Sequence, residues 1–289
     1  MTIPATNARP PGAPVAGRAR RLPVTVAVCF AMLALVGLAA LFGGLVFPDA
    51  MRQDILTGLV PPLSPGHLLG TDELGRDVLA MSVAGTGSAL LGPLCVAVGS
   101  MQIGILLGTL AGYERGPIDF VVSRWTDLLL ALPLLLAALV VSGVLGGGYW
   151  VTTVLLIILF SPSDIRIVRA GVLEQSARPY IEAAQMLSLS RWRVMFVHLL
   201  PNVATLIVTN VMLNIAFALV AFSSLSFLGV GVSPDTADWG AQLAANREIV
   251  FDNPAAALVP AILIVVVACA VNLVGDWLGQ RMTQSGENL

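Results

Sequence analysis

Residues 182–202, EAAQMLSLSRWRVMFVHLLPN, form a polar and basic segment between two strongly apolar stretches of the sequence. The carboxylate of Glu182 is followed by Ala183 and Ala184, whose small side chains leave a low surface that another protein can approach closely. The RWR triplet from Arg191 to Arg193 equally suits a loop that lies on lipid headgroups, with the arginines and the tryptophan as interfacial anchors. Both interpretations assign this segment to docking rather than to catalysis.

The residue sets of common catalytic sites are missing at the required spacings. All fifteen basic residues are arginines, and the absence of lysine excludes an ordinary Walker A loop, which needs a lysine to reach the nucleotide phosphates. The sequence contains no GxSxG elbow and no HExxH pair. Its three cysteines have no CxxC spacing, which argues against a structural zinc site. The sequence therefore predicts neither an enzyme nor a metal or other cofactor.

An acidic segment at residues 71–77 also lacks the spacing of a calcium loop. We expect Thr71 to cap a helix that leads toward the second apolar run. Asp72 and Glu73 would then favour the positive N-terminal end of that helix.

The elements that position these residues are predicted to be membrane helices. The chain is 57% hydrophobic and 11% charged with a mean hydropathy of +0.88, whereas soluble domains carry about 25% charged residues. This composition predicts an integral membrane protein. A bilayer-spanning helix needs about 20 apolar residues, and six runs of that kind are present: 24–46, 89–111, 120–143, 149–170, 203–230 and 256–279.

Polar residues within these runs need partners. Asp164, Arg166 and Arg169 follow the apolar part of the fourth run, so that end must lie at the interface or against protein. Asn210 and Asn214 are four residues apart in the fifth run and share one helix face. Their spacing predicts interhelical hydrogen bonds, and the alternative is that they line a transport pathway.

The arginines predict the orientation, because positive residues are retained on the cytoplasmic side. With the N-terminus inside, twelve arginines fall in inner segments and only Arg52, Arg76 and Arg247 in outer ones. Both termini and the segment at 182–202 are therefore expected in the cytoplasm. The run at 24–46 exceeds the roughly 7 to 15 apolar residues of a signal peptide and is interpreted as the first membrane helix.

The segment at 182–202 is predicted to fold as two short helices. Pro179 suits the first turn of one helix, and Ser190 can cap a second that begins at Arg191. The break between them falls at Ser188. We expect the second helix to end or bend at Pro201 before the fifth membrane span.

Several motifs resemble one family of transporter subunits. The block HLLGTDELGRD at 67–77, and EAA at 182–184 followed by LLPN at 199–202, resemble the ABC importer permeases of the dipeptide, oligopeptide and nickel family. Further matching segments follow the family's order: RWTDLLLALP at 124–133, RIVRAGV at 166–172, LSFLGVG at 225–231 and NLVGD at 272–276. The resemblance extends over roughly residues 65–277.

The resemblance implies an all-α integral membrane protein with six transmembrane helices, a cytoplasmic coupling-helix loop and the type I ABC importer permease fold. Composition, the apolar runs and this resemblance together predict a division of the chain into five parts. These are a disordered cytoplasmic tail at 1–22, the first transmembrane helix at 23–47, an extracytoplasmic loop at 48–87, the ABC transmembrane type-1 domain at 88–279 with its EAA loop at about 171–202, and a cytoplasmic tail at 280–289.

The partners implied by the resemblance are a second permease subunit in a heterodimer, two ATP-binding subunits, an extracytoplasmic solute-binding protein and membrane lipid, but no nucleic acid. ATP would be hydrolysed on the partner subunits. In this family the EAA loop docks in a groove of the ATPase and couples its closure to the membrane helices. The coupling residues implied here are Glu182, Ala183, Ala184, Ser188, Arg191, Arg193 and Pro201.

Other ATPase-side contacts implied by the resemblance are Arg166, Arg169 and Asp276. Many members of the family have glycine at the position of Ser188, so the geometry of this turn is expected to differ.

The implied function is that of a permease subunit for dipeptides, oligopeptides or a related small solute. Nickel is the alternative cargo, and peptides are favoured because the spans show few metal ligands at depth. A self-sufficient secondary transporter would predict inverted repeats with broken helices and an ion-coupling carboxylate at mid-membrane. Neither feature is evident in the sequence.

Overall fold

The computed structural model describes residues 23–233 and 235–286, and the predicted tail at 1–22 lies outside them. Helices and irregular loops make up this part of the chain, and its only β-type pairings are two isolated bridges in the loop before the second helix. The helices are α1 (Val24–Val46), α2 (Val78–Ala84), α3 (Thr86–Glu114), α4 (Gly116–Leu130), α5 (Leu134–Leu145), α6 (Tyr149–Ser176), α7 (Pro179–Met186), α8 (Arg191–Arg193), α9 (Leu200–Phe227), α10 (Trp239–Ala245) and α11 (Pro254–Gly286).

Five helical stretches within the described ranges are long and apolar enough to cross a membrane, and the bent pair of α4 and α5 makes six if it counts as one span. The sequence predicted one membrane helix at 120–143, and the structure divides this run into α4 and α5, which meet at an angle of 87°. Pro133 lies at the bend as the N-cap of α5. Proline disfavours the helical conformation of the residue before it and lacks an N–H, so α4 ends there.

The centre of the bundle is a close contact between α3 and α6. Gly104, Gly108 and Gly112 form a stripe at four-residue spacing on α3. A methyl group added to Gly104 would lie 2.6 Å from the Cβ of Asp164, and one added to Gly108 would lie 2.8 Å from the carbonyl oxygen of Ile165. Small residues allow the backbones of two membrane helices to come into contact. Van der Waals packing then stabilises the pair, because lipid provides no hydrophobic driving force for helix association.

Helix α9 packs against this pair through a buried polar contact. Asp164 is 0% exposed, and its Oδ1 accepts hydrogen bonds from the Nδ2 atoms of Asn210 at 2.6 Å and Asn214 at 2.7 Å. The asparagines share one face of α9, as their spacing predicts. Asp164 lies against protein, which is one of the two alternatives that the sequence analysis gave for this part of α6. Its partners are distant in sequence, so spacing alone did not reveal them.

The loop before α2 is fixed by its own polar groups. The hydroxyl of Thr71 donates to the carbonyl oxygen of Gly58 at 2.7 Å and accepts from the backbone N–H of Val60 at 2.8 Å. The N-cap of α2 is Asp77, whose carboxylate accepts a hydrogen bond from the N–H of Ala80 at 2.9 Å. The prediction that Thr71 caps this helix is therefore wrong, because its hydroxyl is already used within the loop.

The other acidic residues of this loop also have local partners. Asp72 accepts from Nε of Arg76 at 2.6 Å, and Asp77 contacts Nδ1 of His67 at 2.7 Å. The buried Asn253, just before α11, donates to the carbonyl oxygens of Leu69 at 3.1 Å and Thr71 at 2.9 Å. These bonds fix the loop to the outer end of the bundle.

A glycine at the tip of this loop provides a test of its packing. Gly75 has a φ of +71°, and an added Cβ would overlap the carbonyl oxygen of Asp54. Gly66 has a φ of +87° but nothing within 4 Å of an added Cβ. Both Gly→Ala changes incur the left-handed strain of roughly 1–2 kcal/mol, so Gly75→Ala should lower the thermal stability of the detergent-solubilised protein more than Gly66→Ala. Equal losses would show that the Gly75–Asp54 approach is not a constraint.

Candidate coupling site

Helix α7 has one buried face and one exposed face. Ile181 is fully buried and Ala184 is 7% exposed, and both belong to an apolar cluster that also contains Met101 of α3, Val168 of α6 and residues of the helical turn at Val194–Leu199, which α7 contacts directly. Burial of an isoleucine side chain stabilises by about 2 kcal/mol. This contact fastens α7 to the membrane bundle.

Ala184 therefore differs from its sequence prediction. Its three-residue spacing from Ile181 places it on the inner face of α7, so the prediction that it offers an open surface to another protein is wrong. Glu182 and Ala183 lie on the exposed face. A large side chain at Ala184 would enter the bundle instead of blocking a partner.

The exposed face of α7 continues into an apolar tip. Met186 is 84% exposed and Leu187 is 74% exposed, and they directly follow the face that carries Glu182 and Ala183. Large exposed apolar side chains that lie together mark interaction sites more often than isolated ones do. We call Glu182, Ala183, Met186 and Leu187 the α7 patch.

Ser188 forms the turn that ends α7. Its φ is +55°, and its N–H donates to the carbonyl oxygen of Gln185 at 2.9 Å. The chain thus adopts with serine the left-handed conformation that glycine favours. The expectation that serine changes the geometry of this turn is wrong for the backbone, because φ at Ser188 has the positive value that glycine favours.

The helix after this turn does not stop before the membrane. Ser190 caps α8, its Oγ accepting from the N–H of Arg193 at 3.4 Å. A π-helical turn at Val194–Leu199 then leads directly into α9, giving one helix from Arg191 to Phe227. The predicted end or bend at Pro201 is wrong, because the wider π turn precedes the proline and accommodates its missing N–H.

Two polar contacts hold this part of the chain to its neighbours. Nη1 of Arg191 donates to Oε2 of Glu114, at the end of α3, at 2.8 Å. The hydroxyl of Tyr180 on α7 donates to Oε1 of Gln175 at 3.1 Å, and partial burial raises the pKa of Tyr180 above its ordinary value. Arg193 is exposed.

The arginines at the end of α6 pair with carboxylates of α4. Arg169 binds Asp119 through Nε at 2.5 Å and Nη2 at 2.7 Å, and Nη2 of Arg166 lies 2.5 Å from Oδ1 of Asp127. Arg166 remains about half exposed in this pair. Contact of Arg166 and Arg169 with an ATPase stays a prediction.

Asp276 lies exposed near the inner end of α11. It lines a groove of about 650 Å³ between α9 and α11, together with Asn202, Thr205, Thr209 and Gln280. Its contact with a partner also stays a prediction. Among the residues that the structure describes, no three His, Cys, Asp or Glu side chains are grouped closely enough to hold a metal ion.

The geometry suits transmission of a movement. Helix α7 contacts the turn at Val194–Leu199, which leads into α9 and also contacts α3 and α6, so a displacement of the α7 patch would be passed on through that turn. Side chains in a close-packed interior transmit displacement, because few voids are available to absorb it.

The sequence of the region around this site matches a known family. Residues 104–284 match the binding-protein-dependent transport system inner membrane component family. This range includes α6, the cytoplasmic segment with α7 and α8, and the helices that they contact. The chain belongs to this family.

Relatives of this permease carry names of peptide transport systems. It is 35% identical over 246 residues to the di/tripeptide transport system permease protein DppC of Pseudomonas aeruginosa, covering 83% of this chain and 80% of that one. It is 35% identical to the glutathione transport system permease protein GsiD of Pectobacterium atrosepticum, covering 74% and 71%. Identity to the probable D,D-dipeptide permease DdpC of Escherichia coli is 30%, covering 88% and 85%.

Solved structures agree with the fold. The MetNI methionine ABC transporter, in an inward-facing crystal form, aligns with a TM-score of 0.59 at 16% identity, covering 70% of this chain and 96% of that chain. An amino acid ABC transporter aligns with a TM-score of 0.51 at 19% identity, covering 70% and 94%. The permease is thus a multi-pass inner membrane protein with the fold of an ABC importer permease subunit.

The Ser188 turn gives a test of the site's local energetics. Ser188→Gly should remove left-handed strain of roughly 1–2 kcal/mol and add unfolded-state entropy of roughly 0.5–1 kcal/mol, a net gain in stability of about 0.5 kcal/mol. Ser190→Gly is the matched control, because φ at Ser190 is −62° and no strain is relieved there. Thermal unfolding in detergent measures both changes. A loss of stability in Ser188→Gly as large as in Ser190→Gly would contradict the assignment of strain.

Proposed function

We propose that this permease forms half of the translocation pathway of an ATP-driven importer for dipeptides, oligopeptides or a related small solute. The other half belongs to a second permease subunit. The main support for a peptide cargo is the 35% identity to a di/tripeptide permease over 83% of the chain. Relatives named for glutathione and D,D-dipeptide transport support the same class of short peptides.

The proposed topology places α7 and both termini in the cytoplasm. Arginines cluster at the end of the bundle that carries α7: Arg115, Arg166, Arg169, Arg178, Arg191 and Arg193. Positive residues are retained on the cytoplasmic side during insertion, which supports this orientation. The loop at 48–77 would then face the extracytoplasmic solute-binding protein that delivers the cargo.

Two ATP-binding subunits are the proposed source of energy. This chain has no lysine and hence no ordinary Walker A loop, so a nucleotide site on separate subunits fits its sequence. We place the α7 patch in a groove of one ATP-binding subunit. Its exposed Met186 and Leu187 supply apolar contact area, and Glu182 supplies a charge that selects a complementary partner surface.

Ser188, Arg191, Arg193 and Pro201 take supporting roles in this proposal. Ser188 sets the turn behind the α7 patch, and Arg191 ties the start of the long helix to Glu114. Arg193 is exposed beside the docking surface, and Pro201 follows the π turn that links the cytoplasmic and membrane parts. Nickel is the alternative cargo within the same family of importers.

Uptake by the reconstituted importer tests the cargo. The permease, its partner permease, the ATP-binding subunits and the binding protein are placed in proteoliposomes, and entry of labelled dipeptide and of nickel is measured. We expect dipeptide to enter only with ATP and the binding protein. Nickel uptake alone would overturn the peptide assignment, and peptide uptake by this chain alone, without nucleotide, would overturn the importer mechanism.

Substitutions in the α7 patch test coupling. Ala183→Trp and Glu182→Arg should abolish ATP-dependent uptake while the protein inserts and unfolds at the normal temperature, because both positions are exposed. Ala183→Ser is the matched control, since it changes the same site without adding bulk, and it should transport normally. Normal uptake by Ala183→Trp would contradict docking at this face.

Ala184→Trp should behave differently from Ala183→Trp. An indole at this buried site overpacks the contact with α3 and α6 and should lower the stability of the protein by about 1–3 kcal/mol. The comparison of unfolding temperatures separates a packing defect from a docking defect. Equal unfolding temperatures for the two variants would contradict the inward orientation of Ala184.

A further inference from the structure

Asp164 is a carboxyl group buried inside the membrane bundle. It is 0% exposed and lies in α6 about 22 Å along the axis from Tyr149. A hydrocarbon core is about 30 Å thick, so Asp164 lies in the inner half of a span that begins near Tyr149, just before the exposed Arg166, and it is shielded from water by the helices packed around it. An ionisable residue at this depth is expensive to bury and usually has a function.

The two oxygens of Asp164 have different surroundings. Oδ1 accepts from both Asn210 and Asn214, whereas Oδ2 is buried and makes no hydrogen bond of ordinary geometry. The buried hydroxyl of Ser100 on α3 is a further polar group beside this carboxyl, and it donates its own hydrogen to the carbonyl oxygen of Ala97 at 3.4 Å, which leaves its oxygen able to accept from a protonated Oδ2. An ionised carboxylate carries its charge on both oxygens and requires donors for each. The surroundings of Oδ1 suit a carbonyl oxygen, and those of Oδ2 suit the hydroxyl of a neutral acid.

In the described part of the chain, no positively charged side chain of the helices packed around Asp164 forms an ion pair with it. Helix α9 contains no acidic, basic or histidine residue between Leu200 and Phe227. On α3, Gly104 faces Asp164, and the helix's charged residue, Glu114, lies at its cytoplasmic end beside Arg191. The titratable Cys95 and Tyr113 of α3 are nine residues from Gly104 on either side.

The charged residues nearest along α6 are directed elsewhere. Arg166 pairs with Asp127 and Arg169 with Asp119, both on α4. Arg124, the basic residue of α4, also pairs with Asp127. None of these ion pairs includes Asp164.

A metal ion does not fit the arrangement. Nδ2 of Asn210 and Nδ2 of Asn214 lie 2.6 and 2.7 Å from Oδ1 of Asp164, which are hydrogen-bond distances. Rotation of the amides would bring oxygen atoms to the same positions. Oxygens that share a Mg²⁺ or Ca²⁺ ion at about 2.0–2.6 Å from each must lie farther apart than this.

We propose that Asp164 is a proton-binding site, which takes one proton from water onto Oδ2 and stays a neutral acid at physiological pH. Oδ1 then acts as the shared acceptor that joins α6 to α9 without a buried charge. Asp164 is a positioning residue in this role, because α6 and α9 are the helices on either side of the cytoplasmic segment that contains the α7 patch. This inference is independent of the peptide cargo.

Infrared spectroscopy of the full-length protein in lipid bilayers tests the proton directly. At neutral pH, the difference spectrum between wild type and Asp164→Asn should show the carbonyl stretch of a protonated carboxylic acid, and this band should shift in D₂O. Asn210→Ala and Asn214→Ala should each raise its frequency, because each removes a hydrogen bond to the carbonyl oxygen. Carboxylate bands in place of the acid band, or an acid band that ignores both asparagines, would overturn the proposal.

Function and stability give a second readout. Asp164→Asn keeps a carbonyl acceptor and a polar donor, so it should retain thermal stability and ATP-dependent uptake across the pH range. Asp164→Leu keeps the branched shape but is larger and loses both hydrogen bonds, so it should lower the unfolding temperature. Loss of uptake in a stable Asp164→Asn protein would show that the ionised form is required and would overturn the neutral assignment.

Discussion

The backbone contact between α3 and α6 is the constraint on which the other parts of the site depend. Gly104, Gly108 and Gly112 allow the two helices to touch with no side chain between them on the α3 side. This contact brings Met101, Val168 and Val172 into one apolar cluster with Ile181 and Ala184 of α7 and with Val194 and Leu199. The short α7 depends on this buried surface, because a helix of eight residues is marginal in water.

The same contact determines where α9 lies. Because Gly104 leaves no room between α3 and the Cβ of Asp164, the carboxyl group of Asp164 meets Asn210 and Asn214 on α9. Helix α9 is continuous with the helix that begins at Arg191. The segment that contains α7 is therefore joined to the bundle at two places, by apolar packing at α7 and by hydrogen bonds near the middle of α6. A displacement of α7 moves helices that are already tied together, so it acts on a rigid group and not on one helix.

The sequence predicted those features that depend on composition and local spacing. Runs of apolar residues located the spans, and Pro179 and Ser190 marked the starts of α7 and α8. Hydropathy does not report the angle between successive helices, so the bend between α4 and α5 was missed. Pro133 is the residue in the sequence that indicates this bend. Ala184 was misplaced because alanine suits either face of a helix and only the position of Ile181 distinguishes them.

Long-range pairs account for the remaining errors. Asp164 bonds to residues 46 and 50 positions away, and Thr71 to one 13 positions away. No local pattern identifies such partners. The glycine stripe on α3 is different, since its four-residue spacing in an apolar run is a known signal for helix contact in membranes and was available in the sequence.

Two kinds of polar contact join the helices, and they respond differently to conditions. The pairs Arg166–Asp127 and Arg191–Glu114 are partly exposed, so each contributes roughly 0–1 kcal/mol and is weakened by salt. The bonds between Asp164 and the asparagines are buried in a region that ions do not reach, and with Asp164 protonated as proposed they carry no net charge. Helix-to-helix contact inside the membrane should then persist at ionic strengths that loosen the cytoplasmic end.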